Sequence, residues 1–148
     1  MKSTMIVVAD SSRARVFTAD SAIAPLQEIE TMAHPEGRLH EQNLVSDLPG
    51  KDSGQGGNAG GHSYQNETEP KQQQVIDFAK RVGGYLDDAR KANKLRRLLL
   101  VAAPAFLGEL RKQMTKETSE CIIFELDKNL TQHPVEEIRS HLPKYLTH

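Results

Sequence analysis

The chain has 148 residues, 37% of them hydrophobic, and a formal net charge of −1. One domain of this length buries a core without disulfides or metal, and so balanced a charge excludes tight, indiscriminate binding to nucleic acid through overall charge. No apolar run approaches the roughly 18 residues of a membrane span, and Met1-Lys-Ser-Thr-Met-Ile-Val-Val lacks a signal-peptide pattern, so the expected compartment is cytoplasmic.

In chain order, Met5 to Ala9 is a short β-branched run that reads as a buried strand. Asp10-Ser-Ser reads as a turn, with Asp10 bonding the backbone near Ser12 and Arg13. Ala14 to Thr18 reads as a second strand. Gln27 to Ala33 reads as a third, half-exposed strand, with Ile29 on one face and Glu28 and Glu30 on the other. Short connections make an antiparallel meander the simplest arrangement of the three. From Pro35 to about Pro70 the apolar periodicity stops. Six of the twelve residues from Gly50 to Gly61 are glycine, so residues 35–70 read as a long, flexible loop inserted in a single domain spanning 1–148.

After Pro70, which suits the first turn of a helix, Val75, Phe78, Ala79, Val82, Leu86 and Ala89 repeat at helical spacing. Gly83-Gly84 weakens that helix by about 1 kcal/mol per glycine, a cost that close packing on a sheet would explain. Leu98 to Ala103 reads as a central strand buried on both faces. Pro104 opens a second helix with Leu107, Leu110 and Met114 in line. Cys121 to Leu126 reads as another buried strand, and Cys121 within it as a buried, inert thiol. Pro134 starts a final helix with Glu136 and Glu137 in its first turn, where carboxylates favour the helix dipole. The order β-β-β-α-β-α-β-α, with a Gly-rich insertion, predicts an α/β fold with a ribonuclease H-like mixed five-stranded sheet.

That order invites a two-metal nuclease reading, which needs carboxylates converging from several elements. Asp10, Asp77, Asp87 and Asp88 supply some, but Leu98-Leu-Leu-Val-Ala-Ala-Pro104 holds no acid, so the site would lack a wall. Neither metal nor cofactor is expected. Gly54-Gln-Gly56-Gly-Asn-Ala59 matches a dinucleotide fingerprint by letters only, because it neither follows a strand nor opens a helix. His34, His40 and His62, near Glu36 and Glu41, match no zinc spacing, and His133 and His141 bracket the last helix without a motif. No nucleophile sits in an elbow sequence.

Basic residues cluster twice: Lys80, Arg81, Arg90, Lys91, Lys94, Arg96 and Arg97, then Arg111, Lys112 and Lys116. They read either as solvated helix faces or as an RNA-phosphate footprint carried by Arg81, Arg90, Lys94, Arg97 and Arg111.

Val7-Val-Ala-Asp10-Ser-Ser-Arg13-Ala-Arg15-Val-Phe17, Leu98-Leu-Leu-Val-Ala-Ala-Pro104-Ala-Phe-Leu107-Gly108-Glu-Leu110-Arg111 and Leu126-Asp-Lys128-Asn-Leu130-Thr131 resemble the bacterial host attachment protein family over nearly the whole chain. That family is similar in fold to the middle domain of eukaryotic and archaeal class-1 peptide-chain release factors. The resemblance implies a ribosome-associated protein whose partner is the ribosome or its RNA. In release factors a Gly-Gly-Gln loop at the corresponding place enters the peptidyl transferase centre. Here Gln55 precedes Gly56-Gly57-Asn58 and Gly60-Gly61-His62, so Gly-Gly-Gln in that order is absent. The expectation is a non-catalytic module whose Lys51, Gln55, Gly56, Gly57, Asn58, Gly60, Gly61 and His62 contact RNA. The alternatives are a protein-interaction factor for attachment to host cells and an esterase-like activity on peptidyl-tRNA.

Overall fold

The structure is a computed structural model, and it describes residues 3–34 and 71–147. Five strands form one mixed sheet: β1 (Thr4–Ala9), β2 (Arg13–Ala19), β3 (Leu26–Ala33), β4 (Arg97–Ala102) and β5 (Ile122–Leu126). Their spatial order is β3-β2-β1-β4-β5. The first three make the expected antiparallel meander, while β4 runs parallel to β1 and β5 parallel to β4. The helices are α1 (Gln72–Lys91), α2 (Pro104–Gln113), a short α3 (Lys116–Ser119) that the sequence pattern did not announce, and α4 (Val135–Ser140).

Alternation along β1 and β4 builds two cores. Met5, Val7, Ala9, Leu98, Leu100 and Ala102 meet Phe78, Val82 and Leu86 of α1 and Phe106 and Leu110 of α2 on one face. Ile6, Val8, Leu99 and Val101 meet Leu130, Ile138, Leu142 and Leu146 on the other. The uninterrupted apolar run of β4 is thus a strand buried on both sides, as its composition implies. The stripe on α1 is the predicted one: Phe78, Ala79, Val82, Leu86 and Ala89 are its buried residues. Pro104 stands in the first turn of α2, where its missing N–H costs nothing.

Three expectations need correction. Ile29 does not point inward; it is 47% exposed. Val16 pairs with Glu30 and Phe17 with Glu28, so Ile29 is an extra, bulged residue. The bulge resets the period-two pattern. Leu26 joins the core beside α4, whereas Met32, an even number of residues on, joins the core beside α1. The last strand is not fully buried: it is the sheet edge, and all five of its residues are half-buried. Cys121 precedes that strand as a half-buried thiol whose Sγ lies 3.5 Å from the Glu117 carbonyl.

The two helix glycines also divide. A Cβ on Gly83 would stand 3.1 Å from the carbonyl oxygen of Gln113, the last residue of α2, whereas one on Gly84 would meet nothing within 4 Å. The close approach is helix on helix, not helix on sheet. Gly84→Ala is therefore expected to raise unfolding free energy by about 0.5–1 kcal/mol. Gly83→Ala must push backbone aside and is expected to lower it by about 1 kcal/mol. Urea midpoints of the two variants check the opposite signs.

Candidate functional site

The polar centre of the molecule grows from the carboxyl end of β1. Asp10 Oδ1 accepts the backbone N–H groups of Ser12 (2.8 Å) and Arg13 (2.9 Å). The Asp10 N–H in turn donates to the Arg13 carbonyl at 2.9 Å. This is the aspartate turn expected from Asp10-Ser-Ser, and it launches β2. Asp10 Oδ2 reaches the connection between β5 and α4, accepting from Thr131 Oγ1 (2.8 Å) and Asn129 Nδ2 (3.2 Å). Asn129 Oδ1 lies 2.8 Å from the same Thr131 hydroxyl and accepts the Thr131 N–H at 3.1 Å. The single hydroxyl proton thus has two acceptors to choose between. Thr131 is only 2% exposed, Asp10 is half-buried and Asn129 is exposed, so the network runs from the interior to the surface.

Arg15, two residues into β2, spends its guanidinium in the same place. Nε and Nη2 form a two-pronged bridge to Glu28 of β3 at 3.1 and 3.0 Å. Nη1 donates to the carbonyls of Thr131 (3.0 Å) and His133 (2.8 Å). The group also lies 5.2 Å from the centre of the Phe17 ring. One side chain therefore ties the meander to the entry of α4. Arg13, Arg15, Glu28, Thr31, Thr131 and His133 border an open depression of about 730 Å³.

The hydrogen bonds from Arg15 hold the Glu28 carboxyl below its ordinary value of 4.5; partial burial opposes them and the Thr31 hydroxyl, 2.7 Å away, assists. A depressed carboxylate contributes stability that is present above its unfolded-state pKa and lost as pH falls through the folded one. Glu28→Gln is therefore expected to be less stable than the parent at neutral pH. The gap should close as the pH drops below 4.5. Thermal melts across that window check it.

The residues singled out from the sequence fall differently. Lys51, Gln55, Gly56, Gly57, Asn58, Gly60, Gly61 and His62 lie outside the described residues, as do His40, Glu36, Glu41 and Pro70. In the basic set, Arg81 donates to the Ala33 carbonyl (2.7 Å), Arg90 to Thr118 Oγ1 (3.0 Å) and Arg97 to Thr4 Oγ1 (3.1 Å). Arg111 bridges Glu125, and Lys94 is exposed. His34 is buried with its ring edge-on to Phe78, centres 5.8 Å apart. His133 Nδ1 sits 2.9 Å from Glu137. The acids do not converge: Asp77 accepts from Gln73, and Asp87 from Thr115 and Thr118. Among the described residues no group of three histidine, cysteine or acidic side chains is arranged to hold a metal ion.

Sequence reasoning named Asp10 but missed its partnership with Asn129 and Thr131 and the bridge between Arg15 and Glu28. No spacing rule links residues 121 positions apart. The signal available was that Asp10 to Phe17 and Leu126 to Thr131 were both among the stretches carrying the family resemblance, and these two stretches meet here.

Comparison with known proteins agrees with that signal. The model of one family, described as protein required for attachment to host cells, matches residues 5–142. No curated protein matches the chain.

Proposed function

The chain belongs to the family of proteins required for attachment to host cells, and from that premise we propose that it serves attachment as a non-catalytic interaction module. The observation that carries this reading is how the polar centre is spent. The Asp10 carboxylate and the Arg15 guanidinium are committed to holding three loops and strands together. Such a centre is a rigid base beside an open depression, with Arg13, Gln132 and His133 on its border. His34, whose N–H donates to the Ser12 carbonyl at 3.3 Å, ends the described meander one residue from that border. The glycine-rich stretch Gly50 to His62, outside the described residues, is proposed as a further contact segment. The test pairs Arg13→Glu with deletion of Gly50 to Gly61, reading attachment of cells to their host and the circular dichroism of the purified variants. Both variants should keep the fold and lose most attachment. Normal attachment by folded variants would sink the reading.

A second reading keeps the translation-associated role, with ribosomal RNA as the partner. The mixed sheet order β3-β2-β1-β4-β5 is compatible with the ribonuclease H-like fold that this reading supposes. The pair of exposed cations, Lys94 and Arg96, at the α1–β4 turn supports it. On this reading the protein co-sediments with ribosomes, and its retention falls steeply with added salt as phosphate contacts are displaced. A salt-insensitive interaction, or absence from every ribosomal fraction, would leave the protein-interaction reading alone.

A further inference from the structure

The two edges of the sheet are defended unequally. At the outer edge of β3, a bulge at Ile29 and the carboxylates of Glu28 and Glu30 interrupt any regular ladder. At the other edge, β5 reads Ile-Ile-Phe-Glu-Leu, four apolar residues and one charge, all half-buried. No strand lies beyond it among the described residues. That one charge, Glu125, is met by Arg111 of α2 on its own chain. A bulge at Ile123 leaves Phe124 to Leu126 as the regular part of the strand.

We infer that this edge is a self-association surface, where β5 of one copy pairs antiparallel with β5 of a second copy about a two-fold axis at Glu125. The occupant follows from symmetry and charge. Phe124 and Leu126 face the core beside α4, while Glu125 faces the α2 side, where Arg111 lies. A two-fold axis at Glu125 sets Phe124 opposite the second copy's Leu126, twice, on one face. Such apolar cross-strand pairs are the unit of sheet stability. On the other face the two Glu125 carboxylates come opposite each other, a repulsive pair by themselves. Each brings its own Arg111, so the face closes as an alternating quartet of two arginines and two carboxylates. An identical copy carries the matching apolar residues and brings, with its own Glu125, the Arg111 that offsets it. Head-on pairing of one patch with itself is the isologous contact of a closed dimer, so assembly stops at two.

The interface is one short strand and a charge quartet, so the dimer is weak and concentration-dependent. Sedimentation equilibrium of the full chain from low to high micromolar concentration tests it. The parent should move from monomer to dimer across the range. Arg111→Ala leaves two facing carboxylates without cations and should raise the dissociation constant at least about tenfold. Adding Glu125→Thr to that variant should restore association, and Ile29→Lys on the opposite edge should leave it unchanged. Circular dichroism confirms that each variant is folded. A parent that stays monomeric throughout overturns the inference. So does a dimer indifferent to Arg111→Ala, a double variant that fails to recover, or a dimer broken by Ile29→Lys.

Discussion

Replacing Asp10 with alanine is expected to lower the unfolding free energy by about 2–4 kcal/mol, a large share of the stability of a domain this size. The carboxylate is the acceptor for two backbone N–H groups in the β1–β2 turn and for Asn129 and Thr131 across the molecule. Alanine leaves the part-buried turn amides short of a partner and removes one of two acceptors from a buried hydroxyl. Orphaned donors of this kind cost more than the net worth of the bonds they lose. Asp10→Asn separates the two halves of the role. Its amide oxygen can still serve Ser12 and Arg13. Its amide nitrogen can donate to Thr131, provided that Thr131 turns its own proton to Asn129 Oδ1, 2.8 Å away. The clash is with Asn129 Nδ2, donor against donor, so a smaller loss of about 1 kcal/mol is expected. Chemical denaturation with unchanged slope would give both values. Equal losses for the two variants would mean that Asp10 acts through its charge rather than through its oxygens.

The second large effect belongs to Arg139 in α4. Its guanidinium is satisfied by backbone carbonyls: Pro143 and Lys144 at 2.8 Å, Ala24 at 3.3 Å and Ala22 at 3.4 Å. The two sets of carbonyls come from the β2–β3 turn and from the segment after α4. Leu146 completes the link by donating its N–H to Ala22 at 2.9 Å and is itself fully buried. Arg139→Leu should destabilise by about 2–3 kcal/mol, since hydrogen bonds to a charged group are the stronger kind. Arg139→Lys should recover little, because a compact ammonium cannot span carbonyls that a planar fork bridges. Amide exchange reads the location of the damage. Protection should fall at Leu146 and around Ala22 well before it falls in β1 or β4. A uniform fall would show that the tail is not held locally.

Local chemistry was legible where neighbours in sequence are neighbours in space. The stripe on α1, the doubly buried β4, Pro104 at a helix start and the Asp10 turn each depend on contacts within a few residues or on a repeat period. The misreadings share one cause: they depend on what lies across the sheet. Ile29 breaks its own alternation because β2 opposite is one residue short, which nothing in Gln27 to Ala33 reveals. Cys121 to Leu126 is as apolar as an inner strand, yet it ends the sheet, and strand order rather than composition decides that. At the polar centre, Asp10 was legible as a turn residue but not as the partner of Asn129 and Thr131. Arg15 stood out only as part of a stretch carrying the family resemblance, because it takes the pairing of β2 with β3 to bring Glu28 beside it.

The bulge at Ile29 reaches beyond its own strand. The sheet separates two apolar clusters that share no side chain, an arrangement that invites melting in two steps. Strand β3 sends Leu26 into one cluster and Met32 into the other because the extra residue reverses its facing halfway along. Strand β2 reaches both clusters by ordinary alternation, with Val16 on one face and Phe17 on the other. An edge strand stitched into both layers cannot detach from one without loosening the other. The bulge thereby adds the edge strand to the coupling that alternation along β1 and β4 already provides between the two halves.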